Sequence, residues 1–88
     1  MLGEVSDVIV YTTEMCGSCV GAKKLLQKRG IEYREVNLSR DPDGRAELQR
    51  ATGMFTFPQV VVGERAVGGF NELLAADRSG RLTELLEA

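Results

Sequence analysis

The chain has 88 residues, 43% apolar and 27% charged, with a net charge of −2 and no histidine. That length allows one domain around a single core, and so small a net charge gives no general pull towards nucleic acid or an anionic membrane. No run approaches the roughly 20 apolar residues of a membrane span, and two cysteines without histidine fall short of the four ligands of structural zinc within one chain.

Residues 1–6 read as a loose lead-in. Met1 to Asp7 shows neither a basic start nor a long apolar run, so no signal peptide is visible. The expected location is the cytoplasm, where thiols are kept reduced and a C-x-x-C pair is more often catalytic or metal-binding than a static staple.

The β-branched and aromatic run Val8-Ile-Val-Tyr11 predicts a buried strand from about Asp7 to Thr12. Past Cys16-Gly-Ser-Cys19 the composition turns helical, predicting a helix from about Gly17 to Arg29 that stops at Gly30. Ala22, Leu25 and Leu26 form its inward face, while Lys23, Lys24, Lys28 and Arg29 point largely outward as a solvated basic face. Gly21 costs about 1 kcal/mol relative to Ala within a helix; it marks close packing against the sheet, or is a neutral oddity.

This order puts Cys16 where a strand hands over to a helix. Unpaired backbone N–H groups and the positive end of the helix dipole favour a thiolate there, and thiols in such settings titrate below their usual range. Cys16 is therefore the candidate nucleophile, with Cys19 one turn further in and less exposed. The competing reading is a pair of buried structural thiols or a passive disulfide.

Ile31 to Leu38 alternates apolar and polar and predicts a second strand, parallel to the first across the helix. Asp41-Pro42 opens a second helix, with Asp41 as N-cap and Pro42 at its first position, and Gly53 ends it. Gln59-Val-Val-Val62 and Arg65-Ala-Val67 flank Gly63-Glu64 as a tight antiparallel hairpin. A last helical region covers Asn71 to about Asp77 and, after Ser79-Gly80, Arg81 to Leu86. The order β-α-β-α-β-β-α gives an α/β fold, a four-stranded mixed sheet flanked by helices.

Three segments, spread over about Asp7 to Leu86, resemble the glutaredoxin family of thioredoxin-like proteins: Val10-Tyr-Thr-Thr13-x-x-Cys16-x-x-Cys19, Thr56-Phe-Pro-Gln-Val60 and Val67-Gly-Gly-Phe-Asn-Glu-Leu73. The resemblance implies a thiol–disulfide oxidoreductase that uses glutathione on disulfide-bonded or glutathionylated proteins, as a monomer. It implies that Pro58 follows a cis bond and that the backbone of Phe57 holds the cysteinyl part of glutathione. The Gly69-Phe70-Asn71 turn would then take the γ-glutamyl carboxylate, with Thr13 bordering the site. Asn71 reads equally as a plain helix cap, and Pro58 as an ordinary strand-edge proline.

Thr13 and Phe55 stand where many members of the family carry basic or polar groups that help bind the glycyl carboxylate; Lys23, Arg45 or Arg50 are the substitutes within the chain. Thr13 and Gly17 resemble redoxins that use another low-molecular-weight thiol, and recycling by a flavoprotein reductase is a further alternative. A small Gly17 also suits a dimer that holds a [2Fe-2S] cluster through one Cys16 from each chain and two glutathiones. Met54 and Phe55 read as an apolar rim for protein substrates, or as a cap on the core.

Overall fold

Val8, Val10 and Thr12 all face one way along the first strand and are at most 4% exposed, the mark of a strand with one face on the core. The computed structural model describes residues 6–87. Its elements run β1 (Val8–Thr12), α1 (Gly17–Lys28), β2 (Arg34–Asn37), α2 (Pro42–Thr52), β3 (Gln59–Val62), β4 (Arg65–Gly68), α3 (Phe70–Ser79) and α4 (Arg81–Glu87). The sheet order is β2-β1-β3-β4, parallel between β1 and β2 and antiparallel elsewhere. The expected lead-in over residues 1–6 lies outside the described residues except for Ser6, whose N–H donates to the Leu86 carbonyl at 2.9 Å. Among the described residues no helix is long and apolar enough to cross a membrane.

Val10 pairs with Val60 and Val8 with Val62, and these four pack with Ala22 and Leu26 of α1, Leu73 and Ala76 of α3, and Leu82 and Leu85 of α4. Full burial of each such Leu or Val is worth about 1.5–3 kcal/mol. Gln59 precedes Val60 in β3 and so points to the opposite face; its side chain bonds to Thr52, which sets the end of α2 on that face.

The caps of α2 and the end of α1 fall where the sequence puts them, whereas α3 is capped at Gly69 and holds Asn71 as its second residue. The Asp41 carboxylate accepts the Gly44 N–H at 2.9 Å, and Gly53 closes α2 in the left-handed region at φ 75°. α1 ends on Gly30 at φ 70°, with the Gly30 N–H donating to Gln27 and the Ile31 N–H to Leu26.

That closure explains the main departure. The second strand is four residues long, Arg34–Asn37, and not eight from Ile31. The Ile31 N–H is spent on closing α1, so Ile31 and Tyr33 pack on the core from outside the ladder. The last helical region is two helices, because Gly80 at φ 84° turns the chain between them. The close approach at Gly21 is to a helix and not to the sheet: a Cβ there would meet the Phe70 ring of α3 at 3.0 Å.

Gly21 meets Phe70 at the start of α3, and Arg29 forms a two-bond ion pair with Asp77 near its end, both bonds 2.9 Å. α1 and α3 therefore run in the same sense, and their positive dipole ends share one edge of the molecule.

Candidate active site

Cys16 is the N-cap of α1, in extended backbone, and its sulfur accepts the Cys19 N–H at 3.1 Å. Cys16 and Cys19 are joined as a disulfide, with their Cα atoms 5.2 Å apart. Their exposures differ in kind: Cys19 is 2% exposed inside the first turn, and Cys16 is only half-buried. An incoming sulfur reaches Cys16 first. A helix N-terminus directs amides and a positive partial charge at that sulfur, and no acidic residue occupies the first turn of α1 to oppose them.

The loop between α2 and β3 supplies the facing wall. The Phe57–Pro58 bond is cis, as the resemblance implied, and Pro58 is buried. The Phe57 carbonyl oxygen lies 3.7 Å from the Cys16 sulfur, where a reduced thiol can donate to it. Among the described residues the Phe57 N–H has no partner within the chain. A backbone donor and acceptor stand beside the reactive sulfur, the arrangement an extended peptide needs for pairing.

The third wall is the start of α3. A Cβ on Gly69 would sit 3.5 Å from the Pro58 carbonyl oxygen, so the glycine turn abuts the proline loop. The Glu72 carboxylate accepts the Gly69 N–H at 2.8 Å, taking one of the three amides in this turn. The amides of Phe70 and Asn71, first and second in the helix, have no intrahelical acceptor. Asn71 is exposed, and Phe70 is half-buried with its ring on Gly21. Cys16, Phe57, Pro58, Gly69 and Phe70 thus form a continuous rim. Thr13 is half-buried one residue beyond β1, and among the described residues no hydrogen bond joins its side chain to that rim.

Of the three substitute cations, two are engaged. Lys23 lies 3.2 Å from the Glu35 carboxylate, and Arg45 donates to the carbonyls of Leu38 and Ser39. Arg50 is exposed and, among the described residues, makes no ion pair or side-chain hydrogen bond. Phe55 is 72% exposed, Met15 fully so, and Met54 half-buried.

Sequence reasoning missed two polar clusters. The buried Thr12 hydroxyl donates to Glu35 at 2.8 Å, tying the end of β1 to β2 just before the Cys16 loop. That bond, with Lys23 adding to it against partial burial, holds the Glu35 carboxyl below its ordinary range. The second cluster centres on Gln59, whose one sequence signal is a polar side chain heading an all-valine strand; a buried amide must find partners.

The glutaredoxin family model matches residues 8–67. The chain is 44% identical over 81 residues to a glutaredoxin of Pseudomonas aeruginosa, covering 92% of this chain and 96% of the relative. It is 32% identical over 83 residues to glutaredoxin 3 of Escherichia coli, covering 94% of this chain and 100% of that one. The solution structure of glutaredoxin from Brucella melitensis superposes with a TM-score of 0.85 at 42% identity, covering 98% of this chain and 94% of that one. A buckwheat glutaredoxin–glutathione complex superposes with a TM-score of 0.84 at 30% identity, covering 93% and 77%. With a C-x-x-C pair at the head of α1 and a matching fold throughout, the chain belongs to the glutaredoxin family of thiol–disulfide oxidoreductases.

Proposed function

We propose that the chain, acting as one domain and as a monomer, uses glutathione to reduce glutathionylated and disulfide-bonded proteins, with Cys16 as nucleophile and Cys19 as resolving thiol. The observation that carries this reading is the setting of the Cys16 sulfur: half-exposed at the α1 N-terminus, 3.1 Å from the Cys19 amide and 3.7 Å from the Phe57 carbonyl. The solved glutathione complex of a buckwheat relative supports the choice of thiol.

The Cys16 thiolate attacks the glutathione sulfur of a glutathionylated protein. A Cys16–glutathione disulfide forms, and the protein thiolate leaves and takes a proton from water. The thiolate of a second glutathione then attacks the glutathione sulfur of that adduct; oxidised glutathione leaves and the Cys16 thiolate returns. With a protein disulfide the resolving attack comes from Cys19, and two glutathiones reduce the resulting Cys16–Cys19 bond. Phe57 pairs through its backbone with the cysteinyl part of glutathione. The Phe70 and Asn71 amides take the γ-glutamyl carboxylate, with Gly69 shaping the turn. Arg50 is the cation left for the glycyl carboxylate.

Turnover of a glutathionylated peptide by glutathione tests this. Cys16→Ser abolishes it and Cys19→Ser retains much of it; a wild type with no turnover overturns the reading and points to another thiol or a flavoprotein reductase as donor.

A second reading has one observation in its favour. Space beside Gly17 is open, a Cβ there meeting nothing within 4 Å, which leaves room for a [2Fe-2S] cluster held by Cys16 of two chains and two glutathiones. Visible absorbance and a dimer after anaerobic reconstitution would establish it, and a colourless monomer would exclude it.

A further inference from the structure

Gln59 is 2% exposed, and every polar atom of its amide is engaged. Its nitrogen donates to the carbonyls of Met54 and Thr56, both at 3.1 Å, and its oxygen faces the Thr52 hydroxyl at 2.8 Å. Thr52 ends α2, and its hydroxyl also accepts the Met54 N–H at 3.2 Å. One side chain therefore fastens two points of the loop that leads to Phe57 and the end of α2 from which the loop departs.

Packing does not fasten that loop from outside. An open groove of about 270 Å³, bordered by Arg45, Gln49, Met54, Phe55 and Phe57, runs along it, and Phe55 and Thr56 are exposed. Gln59 itself cannot move, because its backbone sits in the sheet opposite Tyr11. The amide orientation is fixed too, since only the nitrogen can serve two carbonyls.

We infer that Gln59, seated by Thr52, is a positioning residue for the reaction: it holds the Phe57 backbone at the distance from Cys16 at which a substrate peptide pairs. It touches neither substrate nor the reacting sulfurs and acts through the Met54 and Thr56 carbonyls. The inference rests on the glutathione reading only for the choice of substrate.

The test uses Gln59→Met, which removes both donors, and the isosteric Gln59→Glu, which turns a donor pair into acceptors facing two carbonyls. With a glutathionylated peptide, KM rises about tenfold in both variants, while alkylation of Cys16 by iodoacetamide, which needs no backbone pairing, stays within about twofold of wild type. Thr52→Val raises KM less, and Thr52→Ser restores it. Amide hydrogen exchange at Met54, whose N–H is held by the Thr52 hydroxyl, accelerates while the Val10 and Val60 amides stay protected. Unchanged KM with unchanged loop exchange overturns the inference, as does a rise in exchange across the whole sheet, which would make Gln59 a core residue only. If wild type does not use glutathionylated peptide at all, the glutathione reading fails, and the loop exchange alone decides the role of Gln59.

Discussion

At the start of α2 the Asp41 carboxylate accepts the Gly44 N–H at 2.9 Å; at the start of α1 the Cys16 sulfur accepts the Cys19 N–H at 3.1 Å. Both are side-chain acceptors three residues ahead of the amide they satisfy. At α2 the cap is an exposed carboxylate with no hydrogen bond to Phe57 or Cys16 among the described residues, and its effect stays within the helix. At α1 the acceptor is an atom whose charge comes and goes with protonation and oxidation, and it faces a backbone donor and acceptor at Phe57. On the proposed function, the same local geometry that stabilises one helix makes the capping atom of the other the nucleophile. What differs is the chemistry of that atom and what lies opposite it.

Substitutions at the two caps, at the Gly21–Phe70 contact and at Glu35 bear on this contrast. Cys16→Ser has the largest expected effect: serine is a good cap but a hydroxyl is not a thiolate. Turnover falls to background, while the urea midpoint of the fully reduced proteins barely shifts. Asp41→Ala does the reverse. It lowers the free energy of unfolding by about 1 kcal/mol and leaves turnover within about twofold. Loss of activity in that variant would make the α2 cap part of the site.

Gly21 sharpens the picture at the shared edge of α1 and α3. Alanine there gains up to about 1 kcal/mol of helix propensity but meets the Phe70 ring at 3.0–3.4 Å. Gly21→Ala is expected to be neutral or destabilising alone and stabilising in a Phe70→Ala background, a coupling that a double-mutant cycle by urea denaturation reads directly. Additive effects would mean that the ring yields freely.

The smallest effect concerns Glu35, held below its ordinary range first by the Thr12 hydroxyl and then by Lys23. Its folded value lies below its unfolded one, so its contribution is present above the unfolded value of about 4.3 and fades as pH falls through the folded value. Glu35→Gln should therefore lower stability near neutrality and narrow its gap to wild type in acid. Parallel stability curves from pH 3 to pH 7 would show that the Thr12 bond carries no charge dependence.

Much of this was legible in the sequence because its signals are local. Asp41-Pro42, Gly30, Gly53 and Gly63 each dictate a backbone event within a few residues, and each event occurs. The Cys16 setting was legible for the same reason, since a strand ending before a helix puts the residue between them at the N-cap. The misses are of two kinds: a partner far along the chain, or a bond within a few residues that leaves no mark on the periodicity. β2 begins at Arg34 because the Ile31 amide closes a helix. Gly21 makes room for a ring 49 positions away, and Lys23 is taken by Glu35. Gln59 looked like one more residue of a strand, although its amide organises the loop that faces Cys16.

The central claim is that Cys16 carries glutathione as a covalent intermediate, and the mass of Cys19→Ser after brief mixing with glutathionylated peptide tests it most directly. The predicted spectrum shows the protein with one glutathione added, and the adduct disappears as free glutathione is supplied and oxidised glutathione forms. A protein that stays unmodified while its single thiol still titrates would contradict the claim.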